Sequence, residues 1–439
     1  MKKQLLTLAL AIMGSSVFAQ SWTEQNTGFS TPSRGISEIR IVNTNTVWAL
    51  AYDGAAPTTN IQEFTTTSDG GATWTAGIID IGDPALKLTN ITAVSPTTAW
   101  VGAFDEVTGI GGVWKTEDTG ATWTQQNSSA FQTNGESWFN VVHFFDANNG
   151  IAMGDPEGGE FEVYTTNDGG DNWTRVPAAS LPDPLSAEYG YNGGYVTAGN
   201  TFWFVTNKGK IYRTTDMGAT WSKFNSPISD FGSTAVNGKM YFSNNTNGVL
   251  LRNGATNNFY STTDGGATWS AASTFTGTRK VLSYIPNTST IVATSSTSGN
   301  TGSDFSSNNG ATWTNIESGG DQRGYVAFID GSTGWCGGFN TDATTGGIFK
   351  FSGNLSANSF NANKSAIYPN PTNGLVTIAL ATAETFEAKV MDINGKVLLT
   401  KTFNALENNI MDVSSLSSGV YMMELKFADK KEVKKLVKN

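Results

Sequence analysis

The chain has 439 residues and a net charge of -10, from 27 basic and 37 acidic side chains. Such an acidic surface repels phosphate backbones and anionic lipid, which argues against nucleic acid and membrane surfaces as partners. One cysteine, Cys336, excludes an intramolecular disulfide, and one histidine, His143, excludes a metal site built from several histidines. We expect both side chains to be packed in strands, and we expect neither a metal nor a cofactor.

The first residues have the pattern of a secretory signal peptide. Lys2 and Lys3 precede an apolar run over 5–13, and small residues lead to an expected cleavage between Ala19 and Gln20. The run is too short to cross a bilayer as a helix. We therefore expect residues 1–19 to be removed, leaving a mature chain without a transmembrane segment and with a charge of about -12.

An eight-residue motif then recurs six times, and each copy ends in tryptophan. The copies are 67–74, 116–123, 166–173, 214–221, 262–269 and 306–313, so the tryptophans lie 44 to 50 residues apart. Self-similarity at this period indicates a repeat architecture. Each period also contains four short segments typical of antiparallel strands, which is the pattern of a propeller blade.

The two ends of the repeat region predict how many blades there are. A second-strand pattern occurs seven times, although the motif occurs only six times. Residues 346–350 copy a third strand with no motif after it, while residues 21–26 copy a fourth strand with no blade before it. We therefore predict an all-β fold, a seven-bladed β-propeller over residues 20–351. Pairing of the strand near Trp22 with the strand near Phe349 would close the ring and hide two sheet edges.

The motif resembles the Asp-box, or BNR, repeat of sialidases, sortilin-type receptors and the Ycf48 photosystem assembly factors. Asn172 replaces threonine in the third copy, and Asn308 replaces aspartate in the sixth. We expect the acidic position to hold the turn and the tryptophan to pack between neighbouring blades. The resemblance implies that these turns lie on the outer rim, away from a central site. The structural pairs are Asp69 with Trp74, Asp118 with Trp123, Asp168 with Trp173, Asp216 with Trp221, Asp264 with Trp269, and Asn308 with Trp313.

A change of pattern follows the repeats. Residues 352–366 form a polar linker, and strands without the period return over 367–439, with strands expected at 375–380 and 397–403 among others. Four blocks, at 368–374, 390–396, 416–421 and 434–438, resemble the type A C-terminal sorting domain of the type IX secretion system of Bacteroidetes. The resemblance implies a small β-sandwich that engages the type IX secretion machinery. It also implies passage through the periplasm and across the outer membrane, removal of the tail, and a protein that is secreted or held at the cell surface.

A ligand of a propeller is expected at the mouth of the central channel, where loops lead into the innermost strands. Counting back from the second strands places six residues there: Arg34, Lys87, Ser137, Tyr189, Arg279 and Arg323. If these positions are equivalent, several cations share one face and could bind an anionic ligand. The alternative is that they are scattered charges balanced by neighbouring acids.

The catalytic signals are incomplete. Sialidase chemistry needs three arginines on the substrate, a Tyr-Glu pair and an acid, but the Arg-Ile-Pro type signature is missing before the first box. Other glycosidases need two carboxylates, for which Asp155, Glu157 and Glu188 are weak candidates. We predict an exported, non-catalytic propeller that binds a glycan, peptide or partner protein. A secreted glycoside hydrolase and a Ycf48-like assembly factor for an envelope protein are the alternatives.

Overall fold

A computed structural model describes residues 20–126, 130–355, 365–380, 385–404, 409–427 and 431–439. The expected signal peptide, including Ala19, and residues 356–364 of the expected linker lie outside the described residues. The described secondary structure consists of strands and one short 3-10 turn at Ala178–Ser180, so the all-β prediction is confirmed. No described helix is long and apolar enough to cross a membrane. The chain divides into two compact units, residues 1–356 and 357–439.

The first unit contains five four-stranded sheets and one eight-stranded sheet, in which the single pair of Gly35 with Phe339 joins β2 to β27. Taken as two halves, the eight-stranded sheet brings the total to seven groups of four antiparallel strands, numbered in chain order from the N-terminal β1 (Ser21–Asn26). The first group is β2 (Arg34–Ile41), β3 (Val47–Asp53), β4 (Glu63–Thr67) and β5 (Thr75–Ile78). The second is β6 (Lys87–Ala93), β7 (Ala99–Phe104), β8 (Gly111–Thr116) and β9 (Thr124–Gln125). The third is β10 (Phe139–Phe144), β11 (Gly150–Glu157), β12 (Glu160–Thr166) and β13 (Thr174–Arg175). The fourth is β14 (Gly190–Ala198), β15 (Thr201–Thr206), β16 (Lys210–Thr214) and β17 (Ser222–Asn225).

The remaining groups repeat the same meander. The fifth is β18 (Asn237–Phe242), β19 (Gly248–Asn253), β20 (Asn258–Thr262) and β21 (Ser273–Thr274). The sixth is β22 (Val281–Tyr284), β23 (Ile291–Ser295), β24 (Gly302–Ser306) and β25 (Thr314–Ser318). The seventh is β26 (Val326–Phe328), β27 (Gly334–Asp342), β28 (Thr345–Ser352) and β1.

The first strands of the groups form a closed circuit. Each of β2, β6, β10, β14, β18 and β22 contacts the next in this order, and β26 returns to contact β2. A circuit of innermost strands is what blades around a central axis produce. The second strands β3, β7 and β15 are rich in branched and aromatic residues and are buried along most of their length, because neighbouring blades cover both faces. The propeller class is confirmed, and we call the seven groups blades.

The N-terminal strand completes the last blade. Trp22 pairs with Phe351 and Glu24 pairs with Phe349, so the predicted pairing of chain start and last strand is confirmed. The Trp22 indole N–H donates to Ser303 Oγ of the sixth blade at 2.8 Å, and Trp22 shares a buried cluster with Val292 of that blade. Closure therefore joins the two ends of the ring and also contacts the neighbouring blade.

Each Asp box is a hydrogen-bonded turn between the third and fourth strands. The Thr67 hydroxyl donates to Asp69 at 2.8 Å, and the Gly71 N–H donates to that hydroxyl oxygen at 2.9 Å. Asp69 also accepts from the Thr73 N–H at 2.9 Å and from its hydroxyl at 2.6 Å, and these bonds lower the pKa of Asp69 to about 2. The same pattern recurs at Asp118, Asp168, Asp216 and Asp264. In the sixth box Asn308 accepts the Thr312 N–H and donates to its hydroxyl. The acidic oxygens are thus engaged within the turn.

The box tryptophans lie at contacts between blades. Trp123 of the second blade meets Phe64 of the first edge-on, with ring centroids 6.0 Å apart. The Trp74 indole N–H donates to Gln25 Oε1 of β1 at 3.1 Å. In these two boxes the tryptophan ties the turn to the preceding blade as well as to its own strands.

The lone cysteine and the lone histidine are both packed in strands. Cys336 is a buried free thiol on β27, and burial raises its pKa well above its ordinary value. His143 lies on β10 with its ring centroid 4.7 Å from that of Phe145, and burial lowers its pKa to about 3. His143 is therefore neutral at physiological pH.

The second unit is a small β-sandwich. One sheet is β29 (Ser365–Tyr368), β30 (Leu375–Leu380) and β33 (Ile410–Asp412), and the other is β31 (Phe386–Met391), β32 (Val397–Phe403), β34 (Gly419–Lys426) and β35 (Lys431–Lys438). Val376 and Ile378 of the first sheet share a buried cluster with Val390 and Met423 of the second. The two inner faces therefore pack on each other.

Candidate functional site

The propeller has two different faces because adjacent strands run in opposite directions. The starts of the first strands and the loops between second and third strands lie on one face, which we call the mouth face. Arg34 at the start of β2, for example, pairs with Asp53 at the end of β3. The Asp-box turns join third and fourth strands and lie on the opposite face, which we call the box face.

A cleft of about 400 Å³ opens on the mouth face between the second, third and fourth blades. We call it the mouth cleft. Its walls combine aromatic rings with amides and charged groups. The lining residues are Lys87, Phe104, Glu106, Trp138, Asn140, Asp155, Gly190, Tyr191 and Asn192. Cavities of this size and mixed character are typical of ligand sites.

A bulge in β14 shapes one wall of the mouth cleft. Gly190 pairs with Thr206, but Tyr195 is the next residue to pair, with Phe204, so residues 191–194 leave the regular register. Gly193 has a φ of 66°, a conformation that glycine adopts without strain. The Tyr191 hydroxyl is anchored by donation to Asp230 at 2.5 Å. The bulge therefore presents Tyr191 and Asn192 to the cleft.

Asp155 lies on β11 at the junction of the third and fourth blades. Its Oδ1 accepts from Asn140 Nδ2 at 2.7 Å and from the Gly190 N–H at 2.8 Å. Burial outweighs these bonds and raises the pKa of Asp155 to about 6. This carboxyl therefore changes protonation close to neutral pH.

An ion pair forms the opposite wall of the cleft. Lys87 Nζ lies 2.6 Å from Glu106 Oε1, and both side chains are about half exposed, at 45% and 46%. The bond from Lys87 lowers the pKa of Glu106 below its usual range. The cleft thus holds one carboxyl that stays ionised and one that is protonated more readily.

The three arginines expected at the mouth are buried beside acids. Arg34 and Arg279 pair within their own blades, whereas Arg323 of the seventh blade pairs with Glu317 of the sixth. Arg34 contacts Glu63 at 2.9 Å and Asp53 at 3.0 Å. In the sixth blade Arg279 contacts Asp304 at 2.6 Å. Arg323 contacts Glu317 at 2.7 Å and lies 3.7 Å from the centre of the Phe349 ring. These pairs favour the alternative in which the cations balance neighbouring acids, and they do not form a shared cationic face.

The remaining sequence candidates differ in their relation to the cleft. Tyr189 is 43% exposed and meets the cleft residue Tyr191 edge-on, with ring centroids 5.5 Å apart. Ser137 is buried and accepts the Thr133 N–H at 3.0 Å, so it supports a loop. Glu157 pairs with Arg175 at 2.6 Å and is not among the lining residues.

Glu188 holds a loop in place. It is 3% exposed and accepts hydrogen bonds from the Thr206 hydroxyl at 2.6 Å and the Leu185 N–H at 2.7 Å. Of the three weak catalytic candidates, only Asp155 lines the cleft. Sequence reasoning missed Trp138, Asn140, Asn192 and Glu106. Glu106 could have been found from the sequence, because it lies in the loop between the second and third strands of the blade that begins with Lys87, and this loop is on the mouth face.

Below the mouth, a polar network crosses the channel. Arg40 Nη2 lies 2.6 Å from Glu38 Oε1 on β2 and also contacts the Tyr195 hydroxyl on β14. That hydroxyl donates to Glu38 at 3.2 Å and accepts from Asn90 of β6 at 3.0 Å. The first and fourth blades are not neighbours, so this contact between innermost strands runs across the axis. The network therefore links the first, second and fourth blades across the axis.

Comparisons with known proteins agree with this architecture. Residues 366–439 match the family described as secretion system C-terminal sorting domain, and residues 107–228 match the family described as photosynthesis system II assembly factor YCF48. No curated protein matches the sequence. Among the described residues, no group of three or more His, Cys, Asp or Glu side chains could hold a metal ion.

Solved structures with the same fold include two YCF48 propellers. The first, YCF48 bound to D1 peptide, is 14% identical with a TM-score of 0.50, and the alignment covers 77% of this chain and 97% of that chain. The second, YCF48 from Cyanidioschyzon merolae, is 15% identical with a TM-score of 0.51, covering 75% and 98%. A Trypanosoma rangeli sialidase is 11% identical over 95% of this chain and 88% of that chain, with a TM-score of 0.41.

Fold and repeats together define the class, a β-propeller with repeated Asp-box turns. More particularly, residues 107–228 of the propeller are similar to the YCF48 family, and a secretion system C-terminal sorting domain follows the propeller. Such a tail indicates type IX secretion to the cell surface or the extracellular space.

Proposed function

We propose that the propeller is a non-catalytic binding module that takes an extended polypeptide segment into the mouth cleft. The observation that carries this proposal is the composition of the cleft walls. Trp138, Phe104 and Tyr191 offer rigid aromatic surface, and the amides of Asn140 and Asn192 offer donors and acceptors that match a peptide backbone. Rigid aromatic surface with adaptable amides is also the combination found in the binding loops of antibodies.

The charges of the cleft agree with a polypeptide ligand of mixed character. Lys87 and Glu106 neutralise each other at the rim, and Asp155 adds a carboxyl with a pKa of about 6. Two findings on related propellers give further support. One solved YCF48 structure is bound to a D1 peptide, and the YCF48 family match spans Trp138, Asp155 and Tyr191.

Export gives the binding module its setting. We propose that the signal peptide ends at Ala19 and that residues 367–439 engage the type IX secretion machinery before they are removed. The ring would then be released or held at the cell surface. A pulse-chase experiment that follows the tail epitope and the ring separately tests this step, and a secreted protein that keeps residues 367–439 would contradict it.

The binding proposal is tested by screening the purified protein against a phage-displayed library of random peptides and a panel of polysaccharides. We expect peptides to bind, and we expect Trp138→Ala to weaken them about tenfold or more, because truncating a central aromatic costs at least about 1–2 kcal/mol. Ile78→Ala is the control, since Ile78 is exposed on β5 and outside the cleft. Capture of polysaccharides alone, or equal binding by both variants, would contradict a peptide site.

A second candidate is a secreted glycoside hydrolase. The observation that favours it is the split between two carboxyls of the same cleft, since Asp155 has a raised pKa and Glu106 a lowered one. Turnover of aryl glycosides that Asp155→Asn abolishes would support this reaction. Asp171→Asn, an exposed box residue, is the matched control. Absence of turnover across a broad panel of substituted aryl glycosides and polysaccharides would exclude the reaction for those substrates.

A third candidate is assembly help for an envelope protein. In this role the mouth cleft would bind a segment of an envelope protein that has not yet been assembled. Co-purification of an envelope protein with the wild-type chain, and its loss from Trp138→Ala, would support this role. Recovery of the propeller without an envelope partner under crosslinking would count against it.

A further inference from the structure

A tryptophan fills the contact between blades at four equivalent positions of the ring. Trp48, Trp100, Trp203 and Trp335 lie on second strands and are fully buried. Trp100 stacks on Phe144 of the next blade, with ring centroids 3.6 Å apart and planes 8° from parallel. Its indole N–H donates to the Gly169 carbonyl at 3.1 Å. Between the fourth and fifth blades, Trp203 stacks on Phe242 at 4.0 Å and donates to the Gly265 carbonyl.

The fifth blade lacks this tryptophan. Val249 pairs with Ser261 just before the box, the register at which Trp100 pairs with Lys115 and Trp203 with Arg213. The next blade places Tyr284 where Phe144 and Phe242 stand elsewhere, since each of the three pairs with the residue that comes just before the tryptophan position of its own second strand. Among the described residues, no other aromatic ring pairs with that of Tyr284.

A cavity of about 470 Å³ lies where this tryptophan is absent. Its apolar walls include Val249, Phe259 and Tyr284, and Gly310 lies at the box of the sixth blade. The Tyr284 hydroxyl donates to Asn309 Oδ1 at 3.0 Å, which fixes the ring. Exposed hydroxyl groups also line the cavity, from Ser273, Thr274 and Thr276.

The third and sixth blades also lack the tryptophan, but their junctions with the next blade differ from that of the fifth blade. Val292 of the sixth blade shares its cluster with Trp22, which meets Phe328 of the seventh blade edge-on at 6.0 Å. Ile151 of the third blade faces a fourth blade that has Thr197 in place of the phenylalanine. At the junction of the sixth and seventh blades the facing strand keeps an aromatic ring, Phe328, but Trp22 covers it. Among the described residues, only the junction of the fifth and sixth blades therefore combines a missing tryptophan with a facing aromatic ring, Tyr284, that no other aromatic ring contacts.

We infer that this cavity binds a planar aromatic ring of about indole size, stacked on Tyr284 in the place that a tryptophan side chain takes in other blades. An apolar cavity of about 150 Å³ is enough to bind benzene in a protein core, so the space suffices. The exposed hydroxyl groups suit polar substituents on the ring. The ring could come from a free aromatic compound or from an aromatic side chain of a polypeptide.

The site is separate from the mouth cleft and does not rest on the proposed function. It involves the box turns of the fifth and sixth blades, whereas the mouth cleft involves the second, third and fourth blades on the opposite face. Substitutions in one site should therefore leave the other unchanged.

The purified protein is titrated with fluoroindole and followed by fluorine NMR. We expect line broadening with the wild type and its loss in Val249→Trp, in which the protein's own indole occupies the site. Because Val249→Trp alters the core, Thr274→Trp provides a second block from the exposed rim. Asn225→Trp is the matched control, since Asn225 has the equivalent register on the fourth blade and is exposed. Broadening that persists in Thr274→Trp, or no broadening with the wild type, would overturn the site.

A reciprocal variant and a competitor complete the test. Trp203→Val should create a second site above Phe242 and increase the number of fluoroindole molecules bound. A capped Gly-Trp-Gly tripeptide should displace fluoroindole if the natural ring belongs to a polypeptide. Binding of fluoroindole without displacement by the tripeptide would support the site and assign it to free aromatic compounds.

Discussion

Replacing Trp22 by alanine measures how much the closing strand stabilises the ring. Trp22 is only 9% exposed, and its ring contacts Phe328 and Phe351 with centroids 6.0 and 5.4 Å away. Its N–H also bonds Ser303 Oγ at 2.8 Å. Truncating a buried tryptophan to alanine costs about 3–5 kcal/mol, because transfer energy is lost and a cavity remains. That is a large part of the roughly 5–15 kcal/mol by which folded domains are stable.

The assay is chemical denaturation followed by circular dichroism and tryptophan fluorescence, with Thr23→Ala as the matched control on the same strand. Thr23 is exposed, so its substitution should change the free energy of unfolding by no more than about 0.5 kcal/mol. Trp22→Phe should lie between them, since it keeps an aromatic ring but loses a bond worth about 1 kcal/mol. Equal unfolding curves for Trp22→Ala and Thr23→Ala would refute the closure by β1.

Three further predictions concern charged groups. The pKa of Asp264 is lowered to about 2, so between pH 2 and 3.8 the native state binds fewer protons than the unfolded state, and the free energy of unfolding should fall as the pH falls through this range. Denaturation at several pH values should show that Asp264→Asn flattens this dependence. The pKa of Asp155 is raised to about 6, so its contribution to the free energy of unfolding should have the opposite sign and should be lost as the pH rises from 3.8 through 6. Carboxyl carbon NMR should show a titration midpoint near 6 that Asp155→Asn removes. Arg279→Ala leaves Asp304 buried without its cation and should cost about 3–5 kcal/mol on unfolding, whereas the half-exposed Lys87→Ala should cost no more than about 1 kcal/mol; equal costs would contradict a structural role for the buried pair.

The closure of the ring could be predicted because it depends on counting strands. A fourth-strand pattern before the first blade and a missing fourth strand after the last one leave a single consistent pairing, and β1 pairs with β28 as expected. In the second unit, the predicted strands over 375–380 and 397–403 agree with β30 and β32. The final strand β35 was not predicted, because its lysines hide the alternation in which only Leu436 is buried.

The mouth cleft was only partly foreseen. Counting residues placed Lys87 and Tyr189 near the mouth, but it treated all the cations alike. The structure separates them, since Arg279 is buried against Asp304 whereas Lys87 is half exposed at the cleft rim. Which acid lies next to which cation depends on the conformation of the loops. The pattern of strands in the sequence does not give the distance between an acid and a cation on different loops.

The sequence by itself determined the repeat, the class of fold and the presence of a C-terminal secretion sorting domain. Each of these depends on local patterns, namely turn residues at fixed offsets, alternating strands and terminal motifs, which are legible within a short segment. Only the tertiary structure decided where ligands could bind. The mouth cleft needs Lys87, Asp155 and Tyr191 from three blades. The cavity beside Tyr284 exists because Val249, on a different blade, is too small to fill it. Both sites arise from side chains far apart in the chain, and packing brings them together.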